Sequence, residues 1–333
     1  MADDSASKGL GARHRADYQQ AAGELRAAVG DLELFYEKVA AAVEAAGRAI
    51  LDEVARCGMR RVQLSAEQKG DGSPVSQADR AAHAVLEKCL GGMSPFRVIS
   101  EEDPNGVPNE TEVLEQLGGG FFWLADPLDG TRDFIAGEET FAVSLALMRV
   151  YEKEGKRHVY PWAGCIGDPS HQLSWLAARE RRGRLTKRQE GREIELPMAE
   201  TKVSDVRETG LREEGALRVL GSRSIPSDRL KAVYEFWGVE RVMQMGSALK
   251  FALIAEGSYD VYPRFGPTSE WDIAAGQLLL EETGGALVDL SSGRPMEYGK
   301  PQWQNPGFLA AGSRELAQKW LPLLRVHLGV HEN

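Results

Sequence analysis

Apolar positions recur every three or four residues at Phe35, Val39, Val43, Ala46, Ile50 and Val54, with charged residues between them. That spacing predicts an amphipathic helix ending near Gly58. Ala81, Ala82, Val85, Leu86 and Cys89 keep the same period and predict a second helix over 78–90. The polar stretch 68–76 between them, with Gly70, Gly72 and Pro74, reads as a loop. The pattern then changes to short apolar runs at 96–99, 121–125 and 141–150, rich in aromatic and branched residues, as buried strands are. Residues 160–166 and 172–178 look like further strands of the same sheet. Residues 179–193 interleave Arg and Glu around Gly183 and Gly191, which predicts a solvated hairpin.

Beyond it strands and helices alternate. Strands are predicted at 217–220, 241–245, 260–262, 286–290 and 307–311, and helices at 227–237, 248–255 and 272–283. The 272–283 helix, stopped by Gly284 and Gly285, is the last long helix expected. The first half therefore reads α+β and the second α/β, with a division near 170. The expected organisation is a polar, Ala-rich leader over 1–30 with no clear core face, a first half over 31–170 and a second over 171–330. No internal repeat or low-complexity linker interrupts it.

Composition narrows the function. The chain has 333 residues and a net charge of −10, which argues against wrapping a nucleic-acid duplex, a task that needs a basic face. A small phosphorylated ligand held by a few local cations stays compatible. No apolar run has the length of a membrane span, and the first thirty residues lack the apolar core of a secretory signal. Cys57, Cys89 and Cys165 have no paired spacing and read as reduced thiols of a cytoplasmic protein. The six histidines form no zinc-type pair.

The chemistry concentrates where the 121–125 run meets Asp126-Pro127-Leu128-Asp129-Gly130-Thr131. The strand is expected to end at Asp126 and turn. Two carboxylates three residues apart on a strand end can converge on a hard divalent cation. Gly130 lets a ligand approach the backbone, and N–H groups beyond it can hold phosphate. The same residues also make an ordinary turn. Glu101, Asp79 and Asp272 sit at the edges of other elements; Glu101 also suits a solvated loop, and the two aspartates suit helix caps. Clustered carboxylates call for a cation, so convergence of these five would imply one.

These motifs resemble the lithium-sensitive, magnesium-dependent phosphomonoesterase superfamily, which includes inositol monophosphatase, fructose-1,6-bisphosphatase and 3′(2′),5′-bisphosphate nucleotidase. The resemblance rests on Asp126–Thr131, Ser100-Glu101-Glu102 and Trp271-Asp272-Ile273-Ala274-Ala275-Gly276. Gly221-Ser222-Arg223-Ser224, the 246–252 segment and the 262–268 segment, closed by Asn305-Pro306-Gly307-Phe308, resemble the bisphosphate nucleotidases in particular.

The resemblance implies a layered αβαβα fold with two mixed sheets between helices, and two or three Mg²⁺ ions. Glu101, Asp126 and the Leu128 carbonyl would hold one ion; Asp126, Asp129 and Asp272 a second; Asp79 with Glu101 a third through water. Thr131 would orient the attacking water, with Asp79 or Glu101 accepting its proton, while Gly130 and Thr131 N–H groups meet the phosphate. Lys250 and Arg264, beside Ser247, would grip a second phosphate, and Ser222 and Arg223 would border the nucleotide. The implied substrate is adenosine 3′,5′-bisphosphate, a by-product of sulfur assimilation, and the implied protein is a monomer or homodimer. Ile225 stands where this subgroup often carries a His near the adenine. An inositol monophosphatase, a broad sugar phosphatase, or a non-catalytic metal-binding protein on the same scaffold therefore stays open.

Overall fold

A computed structural model describes residues 15–57, 67–68, 74–190, 192–196, 217–223 and 242–328, with 231, 234–235 and 239 besides. Helix α1 (Arg15–Val29) is followed by α2 (Leu32–Arg56), whose N-cap Asp31 accepts the N–H of Leu34. The predicted 68–76 loop contains a short hairpin, β1 (Glu67–Gln68) and β2 (Pro74–Val75), whose connection lies outside the described residues. Next come α3 (Gln77–Met93), β3 (Arg97–Ser100), α4 (Glu110–Leu117), β4 (Gly120–Asp129), α5 (Thr131–Ile135), β5 (Ala142–Lys153), β6 (Lys156–Asp168), β7 (Leu173–Ala178), β8 (Leu185–Gln189) and β9 (Arg192–Leu196). The rest is β10 (Val219–Ser222), β11 (Val242–Met245), α6 (Leu249–Ala255), β12 (Val261–Arg264), β13 (Thr268–Ser269), α7 (Glu270–Glu282), β14 (Ala286–Asp289), β15 (Gln304–Asn305), β16 (Phe308–Ala311) and α8 (Arg314–Leu328).

Strands β3 to β9 form one seven-stranded sheet in chain order, antiparallel except for the β3–β4 pair. It runs across residue 170, because Asp168 caps a tight turn by accepting the His171 N–H at 3.2 Å and β7 pairs directly with β6. The second sheet is five-stranded, ordered β11-β10-β12-β16-β14, with both parallel and antiparallel pairs. Helices α2 and α3 cover one face of the large sheet, and α6 and α7 lie between the sheets. Helix α8 packs outside the second sheet. The result is the αβαβα layering that the resemblance implied.

Three expectations change. Helix α1 does have a core face: Ala21 and Leu25 are fully buried, and buried Asp17 meets Arg149 at 2.8 and 3.1 Å and accepts Tyr160 O–H at 2.9 Å. A face made of alanines and a buried ion pair leaves no apolar stripe in the sequence. The 179–193 hairpin is not solvated at its start. Arg179 is buried between Glu281 and Glu282, and Glu180 accepts from Tyr36 and from Trp162 Nε1. Finally, α8 follows the helix expected to be last; it carries Pro322 in its interior, a residue that normally argues against helix. The helix predicted at 227–237 lies almost wholly outside the described residues.

Candidate active site

The site is built around an irregularity in β4. Asp126 is opposite Ser144 of β5, but Asp129 is opposite Ala142, so three steps on β4 match two on β5. The extra residue makes a β-bulge, and the predicted turn after Asp126 is this bulge; the strand runs on to Asp129. Leu128 N–H donates to Asp126 Oδ1 at 3.0 Å and fixes the carboxylate. Gly130 then takes φ +92°, and a Cβ there would lie 3.3 Å from the Thr140 carbonyl oxygen. Conformation favours glycine here, and a side chain would also be tight against that carbonyl.

Neighbouring elements bring up the other acids. Parallel pairing of β3 with β4 ends β3 opposite Ala125, just before Asp126, and Glu101 N–H donates to the Ala125 carbonyl at 3.1 Å. Trp271 Nε1 donates to Glu101 Oε2 at 3.1 Å, and Ser144 Oγ donates to the Trp271 carbonyl at 2.9 Å. Asp272 and Asp79 each sit in the first turn of a helix. Ser269 N–H donates to Asp272 Oδ2 at 2.8 Å, and Ser76 N–H donates to Asp79 Oδ2 at 2.8 Å. Glu101, Asp126 and Asp272 each place a carboxylate oxygen within 4.8 Å of the others. Asp129 accepts the Ala248 N–H at 2.5 Å, presented by Ser247, which holds a left-handed φ of 55°.

Asp79 is fully buried beneath this group and meets the cavity through Thr131, whose hydroxyl lies 3.0 Å from Asp79 Oδ1 and 3.1 Å from the Leu128 carbonyl. An O–H that donates to either leaves its lone pairs for a water or ligand.

Burial is the first cause of the electrostatics. It pushes the Asp126 carboxyl well above its ordinary range, and Glu101, Asp129 and Asp272 push it further. Asp272 is raised by burial, then by Asp129 and Glu101. Asp129 rises to about 6 through burial, opposed by Lys250. Burial lowers Lys250 to about 8, Asp129 pulling it back up and Arg264 pressing it down. An all-oxygen, mutually repelling set suits a hard divalent cation, which would keep every member ionised.

A cavity of about 640 Å³ is lined by this cluster and by the cations Lys250, Arg264 and Arg223. Lys250 is 4% exposed; its Nζ donates to the Ser247 and Met245 carbonyls at 2.6 and 3.2 Å and lies 4.9 Å over the Tyr262 ring. Arg264 donates to Ser222 Oγ and, at 3.3 Å, to the Pro267 carbonyl. Arg223 is at the exposed rim, paired with Glu138 at 3.0 Å and Asp133 at 3.6 Å. Every site residue picked out in the sequence lines this cavity except Asp79, which is one hydrogen bond behind it. Ile225 lies outside the described residues. Sequence reasoning passed over Ser76 and Asp133, and quoted Trp271 within a motif without giving it a role. Ser76 had a signal, a Ser three residues before an Asp at a helix start; Asp133 had none beyond adjacency to a motif, and nothing local tells that the Trp271 indole reaches Glu101.

Frame and cavity together suit a phosphatase of small phosphorylated substrates. The chain belongs to the inositol monophosphatase family, whose model matches residues 31–328. It is 35% identical over 242 residues to the 3′(2′),5′-bisphosphate nucleotidase CysQ of Escherichia coli (strain K12), covering 72% of this chain and 86% of that protein. The crystal structure of CysQ from Bacteroides thetaiotaomicron is 27% identical with a TM-score of 0.61, covering 85% of this chain and 100% of that one. The inositol monophosphatase of Anabaena, at 23% identity, shares the fold with a TM-score of 0.58 over 90% of this chain and 96% of its own. Among the described residues no helix is long and apolar enough to cross a membrane.

Proposed function

We propose that this protein is a magnesium-dependent 3′(2′),5′-bisphosphate nucleotidase that removes the 3′-phosphate of adenosine 3′,5′-bisphosphate. The observation that carries the reading is a cation pair, Lys250 and Arg264, in the same cavity as the Glu101–Asp126–Asp272 cluster. A bisphosphate offers one phosphate to each. The 35%-identical relative named as this nucleotidase supports the choice.

Glu101, Asp126, Asp129, Asp272 and the Leu128 carbonyl would hold two Mg²⁺ ions, with Asp79 and Glu101 reaching a third through water. Bound there, Mg²⁺ supplies Lewis-acid polarisation of the phosphate and lowers the pKa of a water. The chain does the rest. Thr131, donating its own O–H to Asp79, would accept a hydrogen bond from the attacking water and orient it, and Asp79 or Glu101 would take the water's proton; the buried cap keeps Asp79 in place. Gly130 and Thr131 N–H groups, at the start of α5, hold the phosphate oxygens. Lys250 and Arg264, beside Ser247, grip the 5′-phosphate, and Ser222 and Arg223 border the nucleoside. Inositol monophosphatase or broad sugar phosphatase activity is the second reading, favoured by Ile225 in place of a base-contacting His.

Side-by-side turnover of adenosine 3′,5′-bisphosphate, inositol 1-phosphate and fructose 1,6-bisphosphate with Mg²⁺ tests the choice. Lys250→Ala and Arg264→Ala should each cost the nucleotide roughly tenfold to a hundredfold in kcat/KM, since a charge-assisted contact is worth about 1.5–3 kcal/mol. Inositol 1-phosphate, with no second phosphate, should lose far less. Equal losses on both substrates would defeat the nucleotidase reading.

A further inference from the structure

We infer that His83 is a positioning residue for this metal site, acting through Ser100. His83 is one helical turn beyond Asp79 on α3, so both side chains leave the same face of the helix. Its Nδ1 lies 2.9 Å from Ser100 Oγ. Ser100 is buried, ends β3 and directly precedes Glu101. Its Oγ already accepts the Glu102 N–H at 3.3 Å. Ser100 Oγ therefore ties the His83 ring to the backbone just beyond Glu101, whichever of Nδ1 and Oγ supplies the shared proton. Nε2 is buried with no hydrogen-bond partner among the described residues, so it is through Nδ1 that the ring is held.

The bond joins two parts of the site that arrive from different elements. Helix α3 presents Asp79, which receives Thr131 at 3.0 Å. Strand β3 ends at Glu101, whose oxygen lies within 4.8 Å of Asp126 and Asp272. A latch between residues 83 and 100 fixes the spacing of the water-orienting pair and the metal-facing carboxylate. Such sites need placement within about half an ångström, and supporting partners of a metal site typically matter tenfold or more.

The inference rests on the magnesium reading above, so its test reads Mg²⁺ affinity by calorimetry on the full chain, alongside turnover. His83→Ala should weaken Mg²⁺ binding roughly tenfold while thermal stability changes little. His83→Asn puts an amide near the position of Nδ1, able to accept from or donate to Ser100 Oγ, and should recover affinity to within about threefold. His83→Gln reaches toward Nε2 instead and should not. Ser100→Ala should reproduce the loss, and the double variant should be no worse than either single one. Unchanged affinity in His83→Ala, equal rescue by Asn and Gln, or additive losses would overturn the latch. If His83→Ala does not fold, the contrast between Ser100→Ala and His83→Asn decides. A wild-type protein that binds Mg²⁺ but does not hydrolyse adenosine 3′,5′-bisphosphate overturns the nucleotidase reading, and the calorimetric comparison still judges the latch.

Discussion

Raising the pH of the metal-free protein from about 5 to about 7.5 is expected to cost stability that saturating Mg²⁺ restores. Burial first, and neighbouring carboxylates next, hold Asp126 and Asp272 above their ordinary range. A carboxyl whose folded pKa exceeds its unfolded value favours the folded state while protonated. For Asp129 that contribution is complete below the ordinary 3.8 and is lost as pH rises through about 6. At about 1.4 kcal/mol per pH unit, the part of that loss between pH about 5 and the folded value of about 6 amounts to about 1.4 kcal/mol for this single group, an upper figure because its side chain is partly open to the cavity. For a chain of this length about 2 °C accompanies each kcal/mol, so the expected shift in Tm from this group is about 3 °C. Lys250, lowered to about 8, changes its contribution above this window and leaves the sign intact. A bound cation displaces the protons and neutralises the cluster, so its stabilising effect grows with pH. Scanning calorimetry in EDTA and in saturating Mg²⁺, on wild type and Asp129→Asn, measures both terms. A Mg²⁺-induced shift in Tm as large at pH about 5 as at about 7.5, or an Asp129→Asn protein with the wild-type slope, would refute the reasoning.

Other perturbations separate the roles. Asp126→Asn should lower kcat on the order of a hundredfold to a thousandfold and abolish the Mg²⁺-induced rise in Tm, as steady-state rates and calorimetry would show. Thr131→Ala should keep Mg²⁺ affinity while its rate falls about a hundredfold, because its hydroxyl faces Asp79 and the cavity; affinity falling in step with rate would exclude that role. Asp17→Ala leaves buried Arg149 with Glu24 alone, so the denaturation midpoint should fall by the equivalent of about 3 kcal/mol, with KM and kcat unchanged.

Much of this site was legible in the sequence because its chemistry sits at the ends of strongly patterned elements. The runs at 121–125 and 141–150 announce the strands, and the acids follow immediately where the apolar pattern stops. What escaped was whatever depends on partners distant in sequence. The bulge at Asp126–Asp129 is defined by the register of β5, which no local pattern encodes; a Pro inside the motif suggested a turn instead. The core face of α1 is written in alanines and in an aspartate whose partner is 132 residues away. Helix α8 is held by Ala317 and Leu324 against the second sheet in spite of Pro322, so packing decides where propensity points elsewhere.

The aspartates at helix starts carry the argument furthest. In the sequence, Asp79 and Asp272 could be read as caps or as functional acids, as if these excluded one another. In the structure each uses one carboxylate oxygen, Oδ2, to satisfy the N–H of a serine three residues earlier. Asp79 then offers Oδ1 to Thr131, and Asp272 offers an oxygen to the cluster with Glu101 and Asp126. The cap supplies the rigidity that the site needs: a carboxylate bonded to its own helix terminus has lost its rotamer freedom before any ligand arrives. The helix terminus also favours negative charge, which offsets part of the repulsion that burial imposes on the cluster. A serine three residues before an acid at a helix start, read together with a strand-end acid, is therefore a stronger sign of a built metal site than either acid is alone.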